Sequence, residues 1–399
     1  MRPPKLKFFA LMLSFVIILF FSNDFGLVNI EKTAIITAIA IDYEQDDYLV
    51  TAQVAVPEAT TATTENKKAE ICGKGKTVGS AIRNIGELSG WFPQLAFCNL
   101  IILGQSTLEQ NVIKILDYFT KTLRVQDSAV VVLAENKGSE ILTASTPLDN
   151  LSSFAVQKIL LKDLGFELGV ATNDIKSFCI GYYSDFASSY MPIIKKVEFA
   201  EQKQDDSKNK DSSKSTNTSS ESKGDTVFDA SSTALFLQGK KVGELNKDQT
   251  LILNAFFSNL KNSTLEIENV KKEFYDTPAN FMLKVIRCIP KITLDVQKNS
   301  VTANLSLNIY CKVSDQTSEY SDDAFNKNVP LAPAVKRSAE EYITRTINEI
   351  VETQKQTGCD VLKIKQRLYR FHYKDYARLK DNLFSVLKTN VNVQVNGQK

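Results

Sequence analysis

His372 is the only histidine in the chain, and it follows Phe371 in a stretch crowded with Lys365, Arg367 and Arg370. General acid–base chemistry draws on histidine more than on any other side chain. A lone imidazole among cations reads as a structural residue rather than a base. Gly73-Lys74-Gly75-Lys76-Thr77, just before a helical pattern, invites a phosphate-loop reading, because glycines let backbone amides and a lysine close on phosphate oxygens. Such a loop needs a glycine five positions before its Gly-Lys-Thr, and Glu70 stands there, so the pattern fails. The six cysteines, at 72, 98, 179, 288, 311 and 359, form no Cys-x-x-Cys pair and no metal-ligand spacing. Cys98, Cys288 and Cys311 lie inside apolar, strand-like runs, which favours buried free thiols over a disulfide framework. No Gly-x-Ser-x-Gly elbow occurs and no carboxylate pair stands out. The sequence therefore offers no catalytic residue, cofactor site or metal site.

The strongest signal is instead a tether. Arg2, Lys5 and Lys7 precede an almost unbroken apolar run from Phe8 to Phe21, carried by Phe8, Leu11, Leu13, Phe15, Ile17, Ile18, Leu19, Phe20 and Phe21. Fourteen helical residues reach roughly 21 Å against a hydrocarbon core of about 30 Å, so by length the run resembles the apolar part of a secretory signal. A cleaved signal wants small residues at positions −3 and −1, and Phe20-Phe21-Ser22-Asn23-Asp24 supplies no such site. Extension through Val28, with Lys7 reaching back to the interface, favours an uncleaved signal anchor. Positive charge at the N-terminus then places the bulk of the chain on the far side of the membrane.

The rest is ordinary globular material: 399 residues, 43% hydrophobic and 24% charged. Forty-eight basic and 46 acidic residues leave a formal charge of +2, which gives no electrostatic case for nucleic acid. Residues 201–226 contain no aliphatic or aromatic side chain at all, and such a segment cannot offset the entropy of ordering it. It reads as a linker or long loop spanning roughly 28 Å on average as a flexible coil.

On either side of it the apolar pattern alternates between strand and helix periods. Ile35, Thr37, Ile39 and Ile41 are expected on one face of a strand and Ala34, Ile36, Ala38 and Ala40 on the other. A polar turn at 44–47 leads to a second strand with Tyr48, Val50, Ala52, Val54 and Val56 in register. Val78, Ile82, Ile85 and Leu88 form a helical stripe, followed by the strand Leu100–Leu103 and Gly104. A second stripe, Leu108, Val112, Leu116, Phe119 and Leu123, precedes the strand Val130–Leu133. Residues 154–161 read as helix, followed by irregular aromatic-rich chain and a strand near 193–199. Beyond the linker, Ala234–Leu237 and Val242–Leu245 flank a turn at Gln238-Gly239-Lys240, and Asn246 with Gln249 resembles a capping box. Strands follow at 292–296 and 301–311. A long helix carries Val335, Ala339, Tyr342, Thr346 and Ile350 and stops at Gly358. Another carries Val361, Ile364, Leu368 and Phe371, and a strand with Val391, Val393 and Val395 closes the chain.

Four blocks in this order resemble the Ger(x)C family, the C subunit of bacterial spore germinant receptors. They are Ala34–Asp42 behind an export signal; Asn99–Gly104 with Ile115–Phe119 and the strand at 129–134; Ala234-Leu235-Phe236 through Val242-Gly243-Glu244-Leu245; and Cys359-Asp360 through Leu368-Tyr369-Arg370 with Val391–Val395. The family usually carries a lipidated cysteine followed by Trp-Asp, and counting back from Ala34 that cysteine falls on Asp24, with Phe25 at the Trp. Asp24 cannot be lipidated. Asn99 stands where the family often has His, Leu383 replaces a common Trp, and the 201–226 insertion looks longer than usual.

The resemblance implies an α+β protein of three successive mixed-sheet and helix domains behind an N-terminal membrane anchor. The anchor is expected at 1–28, an N-terminal domain at 29–200, the linker at 201–226, a small middle domain at 227–275 and a C-terminal domain at 276–399. It further implies a non-enzymatic subunit on the outer face of the inner spore membrane, assembling with a polytopic A subunit and a permease-like B subunit. The competing readings are an envelope hydrolase and an extracytoplasmic solute-binding protein. Converging ionisable groups in a cleft would favour the enzyme, and exposed apolar patches would favour assembly.

Deleting Gln204–Lys223 should leave the melting temperature of the protein nearly unchanged, because loop shortening over this range alters closure entropy by only ~1 kcal/mol or less. A calorimetric scan of the two forms measures this, and a large loss of stability would show that the segment packs.

Overall fold

The computed structural model describes residues 4–22, 33–55, 70–122, 125–147, 149, 151–160, 169–198, 226–257, 260, 262–270, 279–317 and 331–397, with side chains of the first helix described from Phe8 to Ile17. Of that helix, α1 (Pro4–Ser22), no described side chain belongs to the cores described below. Phe8, Leu11, Leu13, Phe15 and Ile17 are all exposed. Among the described residues no helix is long and apolar enough to cross a membrane. Arg2, Asp24 and residues 201–225 of the expected linker lie outside the described residues, as do the side chains of Lys5, Lys7 and Ile18–Phe21.

The expected opening hairpin is present as β1 (Thr33–Glu44) and β2 (Asp47–Ala55). Gln45 and Asp46 turn between them with φ of 51° and 62°, the paired left-handed geometry that matches strand twist. The expected strict alternation along β1 does not hold. A bulge between Ile36 and Ala38 sets two residues of β1 against one step of β2, from Val54 to Gln53. The phase therefore changes: Ala34, Ile36, Ile39 and Ile41 face one core, while Ala38 and Ala40 face the other.

The chain then builds β3 (Glu70–Gly75), α2 (Val78–Ser89), β4 (Phe92–Gln94), β5 (Leu100–Leu103), α3 (Val112–Thr122) and β6 (Val130–Ala134). It continues through α4 (Gly138–Leu142), α5 (Ser152–Leu160), α6 (Ile175–Tyr183) and β7 (Ser188–Glu198). The hairpin β8 (Thr226–Leu237) and β9 (Lys240–Leu245) completes a nine-stranded sheet ordered β3-β2-β1-β5-β6-β7-β8-β9, with β4 pairing β1 beside β5. Helices α2, α3 and α6 cover one face, and α4 and α5 cover the other. Helix α6 falls in the stretch expected to be irregular: Asp174 caps it by accepting from the Ser177 amide, and Ile175, Phe178 and Cys179 supply its buried stripe.

A second, four-stranded sheet is ordered β10 (Thr264–Val270), β11 (Ala279–Val296), β12 (Val301–Gln316) and β13 (Leu387–Gly397). Helix α7 (Lys247–Phe257) opens with the expected box, in which the Asn246 amide donates to Gln249 Oε1 and the Gln249 amide to Asn246 Oδ1. Helix α8 (Pro333–Thr357) ends at Gly358, whose φ is 72°. The short helices α9 (Ile364–Phe371), α10 (Tyr373–Leu379) and α11 (Leu383–Val386) lead into β13. The fold is α+β and is built on two sheets. The residues of the expected middle unit are divided: β8 pairs with β7 and extends the first sheet, while α7 and β10 join the core of the second. Pairing β8 to β7 removes an open sheet edge, and this explains why the hairpin does not stand apart.

The end of β1 is fixed by a buried carboxylate. Asp42 is 2% exposed and accepts from the amides of Gly138, at 2.8 Å, and Ser139, at 3.0 Å, the first two residues of α4. Helix α4 has no side-chain cap of its own, so Asp42 supplies it from across the sheet. The carboxylate lies over Gly104, where a Cβ would sit 1.8 Å from Asp42 Oδ1.

Asp42→Ala should cost about 1–3 kcal/mol by leaving two amides without their acceptor, and Gly104→Ala should also destabilise by forcing the carboxylate aside. The double variant should lose less than the sum of the two, because removing the carboxylate makes room for the methyl group. Urea unfolding of the four proteins measures the cycle, and strict additivity would exclude the contact.

Candidate functional site

The two sheets meet where α8 gives way to α9, and a short run of sequence makes the joint. Gly358 ends α8, its amide donating to Gln354 O at 3.0 Å. Cys359 then turns inward, its thiol facing the carbonyls of Phe236 at 3.4 Å and Ser189 at 3.7 Å, on β8 and β7. The Asp360 amide donates to Ser188 Oγ at 3.0 Å, and its carboxylate accepts from the amides of Ile364 at 2.7 Å and Gln366 at 3.0 Å. Asp360 is thus the cap of α9, where Lys363 at the N-cap position has left-handed backbone and no side-chain cap bond. Gln354 Oε1 accepts from the Leu362 amide at 2.8 Å and closes the turn from the α8 side.

A pocket of about 510 Å³ lies against this joint, walled by β7, the start of α6 and the start of α9. Most of its polar groups are already engaged by the protein. Asn173 Nδ2 donates to the Tyr190 carbonyl at 2.8 Å, Asp174 caps α6, and Asp360 caps α9. Burial pushes the Cys359 thiol up to about 12, so it is a packed thiol and not an available thiolate. The same cause raises Cys98 and Cys288 to about 12 and Cys179 and Cys311 to about 11. All six cysteines are free, with Cys72 exposed and the others buried.

A larger cleft, about 1140 Å³, runs between the α5 side of the first sheet and β10 with α8. Its wall carries Asp229, Asp248, Glu266, Glu268 and Glu341 against Lys247 and Arg345. Burial and neighbouring Asp248 raise the Tyr342 hydroxyl there, which keeps it protonated and a donor. Among the described residues no group of three His, Cys, Asp or Glu is placed to hold a metal.

The residues singled out by their chemistry have structural work. Lys74 and Lys76 both pair with Asp47, at 3.2 and 2.8 Å. Gly73 and Gly75 admit α2 against β3: a Cβ on either would fall within 2.3 Å of that helix or its Ser80 side chain. Thr77 caps α2 in a reciprocal box with Ser80. His372 is the joint between α9 and α10, its amide donating to Leu368 O at 2.8 Å and its carbonyl accepting from the Tyr376 amide at 2.9 Å.

Two family models match the chain in tandem. The one described as "Spore germination protein N-terminal domain" matches residues 27–196, and the one described as "Spore germination B3/ GerAC like, C-terminal" matches residues 231–398. The chain belongs to the Ger(x)C family of spore germination proteins. The crystal structure of the GerBC protein has a similar fold, with a TM-score of 0.52 and 14% sequence identity over 90% of this chain and 96% of that one. No curated protein matches the sequence.

The Ger(x)C blocks read from the sequence now have a physical account. The first ends at Asp42 and the opening stretch of the second ends at Gly104, and these two residues approach each other beneath α4. The fourth begins at Cys359-Asp360, which fastens the second sheet to the first. Surface features escaped the sequence reading. Leu88 and Phe371, placed on buried stripes by their spacing, are 68% and 62% exposed. Phe371 lies between exposed Tyr369 and Tyr373 on a helix pair that carries five Lys or Arg and one Asp between Lys363 and Lys380. Phe186 packs edge-on against Tyr369 and Tyr376, with centroids 5.7 and 5.9 Å away, and fixes that pair against the start of β7. The cue was the interleaving of cations with aromatic residues.

Burial holds the Asp360 carboxyl above the usual carboxylate range, outweighing the amides that favour its charged form. A raised folded-state pKa contributes stability below the unfolded value, and that contribution is lost as pH rises through the folded one. Wild type should therefore gain on Asp360→Asn as pH falls through the raised pKa, while Asp360→Ala should be less stable than either at neutral pH. Denaturant unfolding across a pH series measures both, and a pH-independent difference would exclude the carboxyl as its source.

Proposed function

We infer that this protein is a non-enzymatic C subunit of a nutrient germinant receptor, tethered to the inner spore membrane and acting on its outer face through contacts with polytopic A and permease-like B subunits. The tandem family match over 27–196 and 231–398 carries the reading. The tether is the apolar segment Phe8–Phe21, oriented by Arg2, Lys5 and Lys7; Asp24 supplies no thiol for acylation. The chemistry of the interior supports a binding role, since its buried carboxylates are spent on backbone amides and its buried thiols are held protonated.

The surface offered to a partner subunit is the helix pair α9–α10. Exposed Tyr369, Phe371 and Tyr373 stand among cations there, and aromatic residues with arginine are the side chains enriched at the centres of protein interfaces. The acidic cleft of about 1140 Å³ is the observation that favours the enzyme or ligand-binding alternative.

Co-purification from spores separates these readings. The protein should carry A and B subunits with it, and its removal should slow or abolish germination with one class of nutrient. Arg370→Glu with Lys374→Glu should reduce that co-purification while leaving the melting temperature unchanged, because both side chains lie on the exposed face. Metabolic labelling with a fatty acid should give no incorporation. Turnover of an envelope substrate that is lost in Glu341→Gln would replace the assembly reading by the enzymatic one.

A further inference from the structure

Leu88, Trp91, Phe92 and Phe97 are 68%, 49%, 37% and 58% exposed. Nowhere else among the described residues outside α1 do four large apolar side chains stand in solvent within ten positions. Isolated exposed apolar residues need no explanation, but a cluster of this kind marks a surface that meets something. Nothing in the cores requires these four. Helix α2 buries Val78, Ala81, Ile82 and Ile85, and Leu88 lies beyond that stripe.

Their place in the fold says what they meet. Strand β4 pairs in parallel with the very start of β1: Phe92 opposite Thr33, Pro93 opposite Ala34. Phe97 stands in the turn between Leu95 and Cys98, next to Asn99, whose amide donates to Thr37 O. Trp91 and Leu88 lie immediately upstream of β4. All four therefore flank the point where the chain arrives from α1. Ten residues, 23–32, join Ser22 to Thr33 and reach about 35 Å at most when fully extended. Whatever α1 is inserted in, this end of the first sheet is held beside it.

The patch carries little charge, because Arg83 is paired with Glu87 at 2.9 Å and no other Asp, Glu, Lys, Arg or His occurs between Arg83 and Gln105. A tryptophan beside a tether suits the headgroup layer, where its ring can lie half in hydrocarbon and half in water, and leucine and phenylalanine supply the apolar face that enters the acyl boundary. We propose that Leu88, Trp91, Phe92 and Phe97 form a lipid-facing seat that enters the headgroup layer and sets the orientation of the ectodomain on the bilayer. The inference rests on the tether reading above. It adds a second, non-helical contact: the domain lies against the membrane through these side chains instead of swinging on residues 23–32.

Trp91 is the chain's only tryptophan, so its fluorescence reports this patch alone. The full-length protein is reconstituted into phosphatidylcholine–phosphatidylglycerol vesicles, recovered by flotation, and its emission compared with and without lipids brominated at shallow and deep acyl positions. The seat requires a blue-shifted emission, quenched severalfold more by shallow than by deep bromines and insensitive to added salt. Phe92→Ser with Phe97→Ser should lose most of that quenching. A relocated reporter, Val197→Trp in a Trp91→Phe background, places the ring at the opposite end of β7 on an already exposed site and should show none. Protein that floats with Trp91 unquenched overturns the seat while leaving the tether intact, and would assign the patch to a protein partner. Equal quenching at position 197 also overturns it. Protein that fails to float overturns the tether and the seat together.

Discussion

A carboxylate taken out of water must be met by donors, and the cheapest donors in a folded chain are the free amides at a helix start. This protein uses that constraint at both of its critical joints. Asp42, at the end of the central strand β1, is met by the amides of Gly138 and Ser139. Asp360, at the turn between the two sheets, is met by those of Ile364 and Gln366. Each carboxylate belongs to one segment and each set of amides to another element, so neither is satisfied unless the elements are in place. The first joint orders α4 against the sheet and requires Gly104 beneath it. The second brings Cys359 against β7 and β8, and thereby sets where α9 and α10 stand. The surfaces that these elements present follow from the two caps.

This use of acids bears on what the groups around the pocket at the joint are free to do. In a catalytic site a perturbed carboxyl faces space that a substrate can enter. Here Asp360, whose pKa burial raises, spends both oxygens on α9 although a pocket of about 510 Å³ lies beside it. The neighbouring thiol is raised to about 12 with two carbonyls facing it, the opposite of the electropositive setting that activates a cysteine. The groups nearest the pocket hold the two sheets together, and chemistry at this point would have to weaken the joint it depends on.

Much of the fold is legible in the residues because local signals and tertiary demands agree there. Asn246 and Gln249 make the box that their spacing suggests, Gly358 stops α8, and Val301 to Cys311 face the core at every second position. Where tertiary geometry intervenes, the sequence is silent. The bulge at Ile36–Ala38 leaves the alternation of β1 looking perfect while moving Ile36 to the side of Ile39 and Ile41, since an isoleucine–alanine run is apolar in either phase. Helix α6 is hidden because aromatic residues occupy both its buried and exposed faces: Phe178 is buried, and Tyr183 reaches across to Asp117. The hairpin at 226–245 looks like a separate unit because its partner, β7, precedes a segment that obscures the pairing in sequence.

The candidate surfaces were harder to see for a more instructive reason. Helical spacing identifies an apolar stripe but not where the core beneath it ends. In α2 the stripe through Val78, Ile82 and Ile85 is covered, and its next member, Leu88, is exposed. In α9 Ile364 and Leu368 are covered, and Phe371, the next member, is not. Both overhangs adjoin exposed aromatic residues, Trp91 and Phe92 in one case and Tyr369 and Tyr373 in the other. An amphipathic helix longer than the core it covers thus carries its apolar face out to the molecular surface at no cost to packing. The same periodicity that builds the interior also builds these two external patches, and only the position of the core edge distinguishes a packing residue from one that awaits a membrane or a partner.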